Sequence, residues 1–236
     1  MDYLLDNPEV ETIFQEILSK IKPLQNGEVV SSMEKRGVDY KMNYGVSIPL
    51  LRQLASEYQK NHLLALKLWN KQWRETMILA TLLEEPDEVT ENQMDFWVKS
   101  FPSLEIAEQA AMNLFSKTHF AFQMAFEYCH GKKQLVKIVG LLMIGRLALT
   151  DRKSPDEQFE TFFELMPPLS KDPQLSVVFS RVYIQIGMRN LHLNHLAIRH
   201  AINLKTINSL TAVENAEQIL SGLDNEDARE IIKNRH

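Results

Sequence analysis

The sequence predicts an all-α protein, either a globular helix bundle or an α-solenoid of stacked antiparallel helix pairs, and three observations carry the all-α expectation. Apolar residues recur at helical spacing from end to end, helix-start signals precede several of those runs, and no stretch alternates with the period of two that marks a strand.

The first element, "NPEVETIFQEILSKI", has Asn7 as a cap, Pro8 at the first helical position, acids in the first turn, and Ile13, Phe14, Ile17, Leu18 and Ile21 on one face. "RGVDYKMNYGVSIP" is the longest irregular piece, and its Gly and Pro mark a turn before a helix near Pro49. "HLLALKLW" and "RETMILATLL" follow. "TENQMDFWVKSF" opens with Thr90 and Gln93 in capping-box spacing, and "SPDEQFETFFELM" repeats the device with Ser154 and Glu157 plus Pro155 at the first helical position. Between and after them run "SLEIAEQAAMNLF", "HFAFQMAFEYC", "KQLVKIVGLLMIGRLAL", "QLSVVFSRVYIQIGM", "HLAIRHAINLKTI" and "AVENAEQILSGL". These group into pairs over 61–84, 90–116, 118–149, 154–188 and 190–221, a repeat of roughly 28 to 36 residues without strong identity between units. No Gly/Ser-rich linker interrupts them, so residues 1–236 are expected to form one domain.

With 44% hydrophobic residues the 236-residue chain can bury a sizeable core. Cys129 is its one cysteine, which excludes an intrachain disulfide and suggests a reducing, cytoplasmic setting. No secretion-type leader opens the sequence, and apolar runs such as "IVGLLMIG" fall short of the roughly 20 residues of a membrane span. Net charge is −5, yet the distribution is uneven. Between Glu127 and Asp151 there is no acid, whereas Lys132, Lys133, Lys137 and Arg146 are present; from Pro173 to Val213 the charges are Arg181, Arg189, Arg199 and Lys205. Acids gather in "LLEEPDEVTE" and "GLDNEDARE", so one basic and one acidic surface are expected, against the plainer reading of scattered solvated charges.

Standard catalytic signatures are missing: there is no phosphate loop, dinucleotide glycine pattern, HExxH or CxxC, so no cofactor is expected. His192 and His195, three apart, lack a Cys or carboxylate to complete a metal set, so no metal is expected. Cys129 and His130 are helix neighbours that do not face each other, and a packed thiol is the better reading. Trp69, Trp73 and Trp97 could stack on bases, although the spacing of Trp69 and Trp73 favours the core. In "SLEIAEQAAMNLF", a helical projection places Ala110, Leu114, Ala107, Ala111, Leu104, Phe115 and Met112 on one apolar arc, with Glu105, Gln109 and Asn113 opposite. Glu108 falls inside the arc, where a carboxylate needs a partner, and Arg146 in "LLMIGRLAL" is a candidate mate.

Taken together, "YGVSIPLLRQLASEY", "LALKLWNKQWRETMILATLLEEPDEVTENQMDFWVKSF", "SLEIAEQAAMNLF" and "IGMRN" resemble, in order and spacing, the DNA alkylation repair family of HEAT-like-repeat proteins, over roughly Tyr44 to Leu210. The resemblance implies a curved stack of helix pairs holding duplex DNA on a concave basic surface, and in active members the excision of cationic alkylated purines without metal or cofactor. The family's S-W-D-x-x-D-Q stretch reads here Ser103, Leu104, Glu105, Ile106, Ala107, Glu108, Gln109. Leu104 stands at the tryptophan and Glu108 at the catalytic aspartate, a carboxylate that would stabilise oxocarbenium character on the sugar. Elsewhere "LVKIVG" has Leu135 for an aromatic and Lys137 as its one basic residue, with Ile138 where an arginine is expected, and in "RVYIQIGMR" Arg181 replaces another aromatic.

Glu108 is thus the expected catalytic residue if the chain is an enzyme, and Lys132, Lys133, Lys137, Arg181, Arg189 and Arg199 are the expected DNA phosphate contacts. Three functions stay open: a DNA-binding protein, expected to be monomeric, with a degenerate site; a working glycosylase that uses Glu108; and a scaffold for another protein.

Overall fold

A computed structural model of the chain describes residues 7–234. Among them are fourteen α-helices: α1 (Pro8–Ile21), α2 (Gly27–Lys35), α3 (Ile48–Ala55), α4 (His62–Lys71), α5 (Arg74–Leu83), α6 (Glu91–Lys99), α7 (Leu104–Asn113), α8 (Ala121–Cys129), α9 (Gln134–Thr150), α10 (Asp156–Leu169), α11 (Ser176–Gly187), α12 (Leu191–Leu204), α13 (Leu210–Leu223) and α14 (Glu226–Lys233). No strand occurs among the described residues, and no helix there is long and apolar enough to cross a membrane. The five expected helix pairs correspond to α4–α5, α6–α7, α8–α9, α10–α11 and α12–α13.

The helix starts follow their caps. Asn7 accepts the N–H groups of Glu9 and Val10, and Thr90 accepts that of Gln93. The Gln93 side chain, however, does not return to the cap; its amide donates to the buried Glu84 at 2.7 Å. The Ser154 device fails as well. Helix α10 begins at Asp156 after Pro155, and Ser154 instead hydrogen-bonds Asp151 at 2.6 Å, because the preceding acid is a nearer partner than the first helical turn. Sequence reading passed over α2 and α14, which are short and strongly polar.

The chain divides into two compact units, Met1–His119 and Phe120–His236. In the first, α1 packs on α4, and α5 packs between α3, α4 and α7. Its centre is aromatic: Trp69 of α4 stacks on Trp97 of α6 with ring centroids 3.9 Å apart and planes 1° from parallel, and neither ring is exposed.

In the second unit α8, α10 and α12 form one layer and α9, α11 and α13 the other. Helices α8 and α9 approach closely at Gly140, where a Cβ would come within 2.7 Å of the Ala125 carbonyl oxygen and the Cys129 nitrogen. Only a residue without a side chain allows that crossing.

Candidate functional site

Helix α7 carries the carboxylate singled out above, and its setting begins with the loop before α3. Arg74, at the start of α5, is 2% exposed, and Glu75 beside it is fully buried. The Arg74 guanidinium makes a two-pronged pair with Glu105 on α7, Nε to Oε2 at 2.7 Å and Nη2 to Oε1 at 2.6 Å. Its Nη1 donates to the Val46 carbonyl oxygen at 2.8 Å and to Glu75 Oε1 at 3.0 Å. Glu75 in turn accepts the backbone N–H groups of Tyr44 and Val46, each at 3.2 Å. Tyr40 completes the set: its hydroxyl donates to Glu105 at 2.7 Å and lies 2.6 Å from the Ser103 hydroxyl. The irregular loop is thereby fastened across the N-terminal ends of α5 and α7. Burial pushes the Glu105 carboxyl up, but the Arg74 guanidinium outweighs it and holds the group below its ordinary range.

Fixed at this end, α7 presents a defined face. Ile106, Ala107, Gln109, Ala110, Ala111, Asn113 and Leu114 are buried, while Leu104 is 43% exposed and Glu105, Glu108 and Met112 are half-buried. The expected arc is therefore rotated. Gln109 and Asn113, read as solvated, face inward because Asn113 donates to Thr81 of α5 at 2.9 Å and to Gln109 at 3.1 Å, a buried amide chain in place of apolar packing. Leu104, Glu108 and Met112, four apart, form the outward stripe. Glu108 is thus not an intruder in the core but the middle of the accessible face. Arg52 of α3, exposed, comes beside that stripe with Nη2 3.8 Å from the Met112 sulfur. Sequence reasoning missed Arg52 and the Arg74–Glu75–Glu105 network; charges within "WRETMILATLL" were the available signal.

In the second unit the expected phosphate contacts separate. Lys132 and Lys133 are exposed just before α9, Lys137 is half-buried in its first turn, and Arg181 is exposed on α11. These belong to the layer of α9 and α11. Arg181 also borders a groove of about 380 Å³ between α11 and α13, lined with Val177, Ile184, Gln185 and Gln218. Arg199 is exposed but stands on α12, in the other layer. Arg189 does not suit a phosphate at all. It is 6% exposed, its Nη1 donates to the Asp151 carbonyl, its Nη2 to the Ser154 carbonyl at 2.8 Å, and the guanidinium lies 4.3 Å from the Phe159 ring centroid. The arginine that sequence reading placed on the DNA closes the α9–α10 connection instead.

The remaining candidates are accounted for locally. Burial pushes the Cys129 thiol up to about 12, which leaves it without thiolate character. His192 Nε2 lies 2.7 Å from Glu160, and no group of three metal-ligating side chains occurs among the described residues. Trp69 and Trp97 are core residues, whereas Trp73 is half-buried between Tyr44, 5.4 Å away, and the Lys71 ammonium at 4.6 Å.

Comparison with known proteins bears on this face. No curated protein matches the chain. A solved structure described as "A new family of proteins related to the HEAT-like repeat DNA glycosylases with affinity for branched DNA structures" superimposes with a TM-score of 0.70 at 17% identity, covering 88% of this chain and 94% of that one. At that identity the likeness establishes the fold, the paired-helix HEAT-like architecture. A family model described as "DNA alkylation repair enzyme" matches residues 17–172, which include α7, its anchoring loop and α9. With the greater part of the sequence matched, the chain belongs to the DNA alkylation repair enzyme family.

Proposed function

We propose that this protein binds branched or otherwise distorted duplex DNA by shape and charge and does not excise bases. The observation that carries the reading is the outward stripe of α7. Family placement and the accessible face support a DNA partner, yet Leu104, 43% exposed, stands where the resemblance puts a tryptophan, and Glu108 where it puts an aspartate. An aliphatic side chain gives no flat ring against which a damaged nucleotide can stack, and a longer carboxylate misplaces its charge. A displacement of about 1 Å costs roughly a hundredfold in rate. The branched substrate is suggested by the affinity named for the structural relative. Arg52 in the first unit, and Lys132, Lys133, Lys137 and Arg181 in the second, are the proposed phosphate contacts; Arg199 is a peripheral one and Arg189 is withdrawn from the set. No cofactor enters this reading, and the binding species is the monomer.

The test pairs two assays. Fluorescence anisotropy on a four-way junction, a linear duplex and an abasic-analogue duplex, each across salt, is expected to show tighter junction binding and a log–log salt slope of about −0.9 per phosphate contact. Base release from methylated DNA is expected to stay at background. Glu108→Gln removes a like charge from the binding face and should tighten junction binding about two- to fivefold. Release of alkylated purines that disappears in Glu108→Ala would overturn the reading in favour of a glycosylase, and a flat salt response would remove DNA as the partner.

A further inference from the structure

A second surface of the molecule lies in the α8–α10–α12 layer, away from α9 and α11. There α8 and α10 meet through aromatic edges: Phe122 stands edge-on to Phe159 at 5.1 Å and 84°, and Phe126 to Phe162 at 6.0 Å and 77°. This leaves an open groove of about 400 Å³ with Phe122, Phe126 and Phe162 as its apolar floor. Phe126 is 37% exposed, so part of an aromatic ring that lines the groove stands in water. The two charged residues that line the groove, Glu127 and Glu157, are both exposed and both acidic, and no cation lines it.

Such a surface repels nucleic acid and has the anatomy of a protein interface, an aromatic core with a charged rim. Its shape, an apolar trough between two neighbouring helices, suits a third helix whose side chains enter between theirs. We infer that this groove docks an amphipathic helix of a partner protein that carries one or two large apolar residues flanked by lysine or arginine. The apolar residues cover Phe122 and Phe126, and the flanking cations meet Glu127 and Glu157. This surface does not depend on the DNA reading and stands or falls without it.

The probe is a fluorescein-labelled alanine-based helix with two leucines four apart flanked by lysines, compared with the same peptide carrying glutamates, each titrated with the full chain. The lysine peptide is expected to bind and the glutamate peptide not to. Double charge reversal, Glu127→Lys with Glu157→Lys, should weaken the lysine peptide about fivefold and give the glutamate peptide the advantage. Phe126→Ser should weaken it about tenfold. All three positions are exposed, so circular dichroism and the thermal midpoint should stay at wild-type values and separate a docking defect from misfolding. Equal binding of the two peptides, no binding of either, or lysine-peptide binding that survives charge reversal would overturn the proposal.

Discussion

Replacing Arg74 with methionine tests the anchoring of α7. The guanidinium is 2% exposed and bridges Glu75, which is fully buried, and Glu105, whose side chain is 25% exposed. Methionine fills similar volume but leaves the Glu75 carboxylate buried, with the Tyr44 and Val46 N–H groups still on it and no cation. Breaking a buried pair from one side costs about 3–5 kcal/mol, and the remaining N–H donors place this case near the lower end, about 3 kcal/mol. With a urea slope of about 2 kcal/mol per molar, the midpoint should fall by about 1.5 M. The assay is specific, because Trp69, Trp73 and Trp97 are the three tryptophans of the chain and all lie in the first unit, so intrinsic fluorescence follows that unit alone. Junction-DNA affinity should fall in parallel, since the Leu104–Glu108–Met112 stripe loses its fixed end. A midpoint shift below about 0.5 M would refute the reasoning and show that the guanidinium is replaceable by packing.

Three further outcomes follow from the same geometry. Because Glu105 is held below its ordinary value of 4.5, its stabilising effect is full above that pH and is lost as pH falls through the folded-state value; the stability gap between wild type and Glu105→Gln, followed by fluorescence, should close below about pH 4.5. Arg189→Gln should lower stability by about 2–4 kcal/mol and leave the salt slope of DNA binding unchanged, whereas Arg181→Gln should flatten that slope by about 1 with little effect on stability; anisotropy and urea melts on both variants decide it. Gly140→Ala should cost about 1–3 kcal/mol by forcing α8 from α9, and an unchanged thermal midpoint would contradict the close approach seen there.

Helix type and order were legible in the sequence because apolar spacing reports burial directly: the α4–α5 and α8–α9 pairs were expected from "HLLALKLW", "RETMILATLL" and "KQLVKIVGLLMIGRLAL". What spacing cannot report is polar burial. By residue type Gln109 and Asn113 belong in solvent, which turns the expected helix face, but an amide partnered by Thr81 is satisfied inside the fold. The same limit hid Arg74 and Glu75, whose burial depends on Glu105 about thirty residues away. Arg189 erred in the opposite sense. Its acid-free neighbourhood in sequence suggested a free cation, while its partners, the Asp151 and Ser154 carbonyls, come from a different element.

The functional consequence lies in what the anchor does and does not preserve. Tyr40, Ser103, Glu105 and Arg74 hold the first turn of α7 by four short polar contacts, so the direction in which Leu104 and Glu108 point is set by a rigid frame and not by those two residues themselves. A frame of this kind tolerates exchange at the positions it presents, because Leu104 is exposed and Glu108 and Met112 are only half-buried, outside the packed core. On the proposed reading, exchange at Leu104 and Glu108 removes excision chemistry and leaves the frame that presents them intact. Restoring both together, Leu104→Trp with Glu108→Asp, is the direct test of that separation: the double variant should keep the urea midpoint of wild type, and detectable release of alkylated purines would show that the frame still aims its residues at the DNA. If neither single variant nor the pair excises bases while junction binding persists, the exchanges at Leu104 and Glu108 alone do not account for the absence of excision.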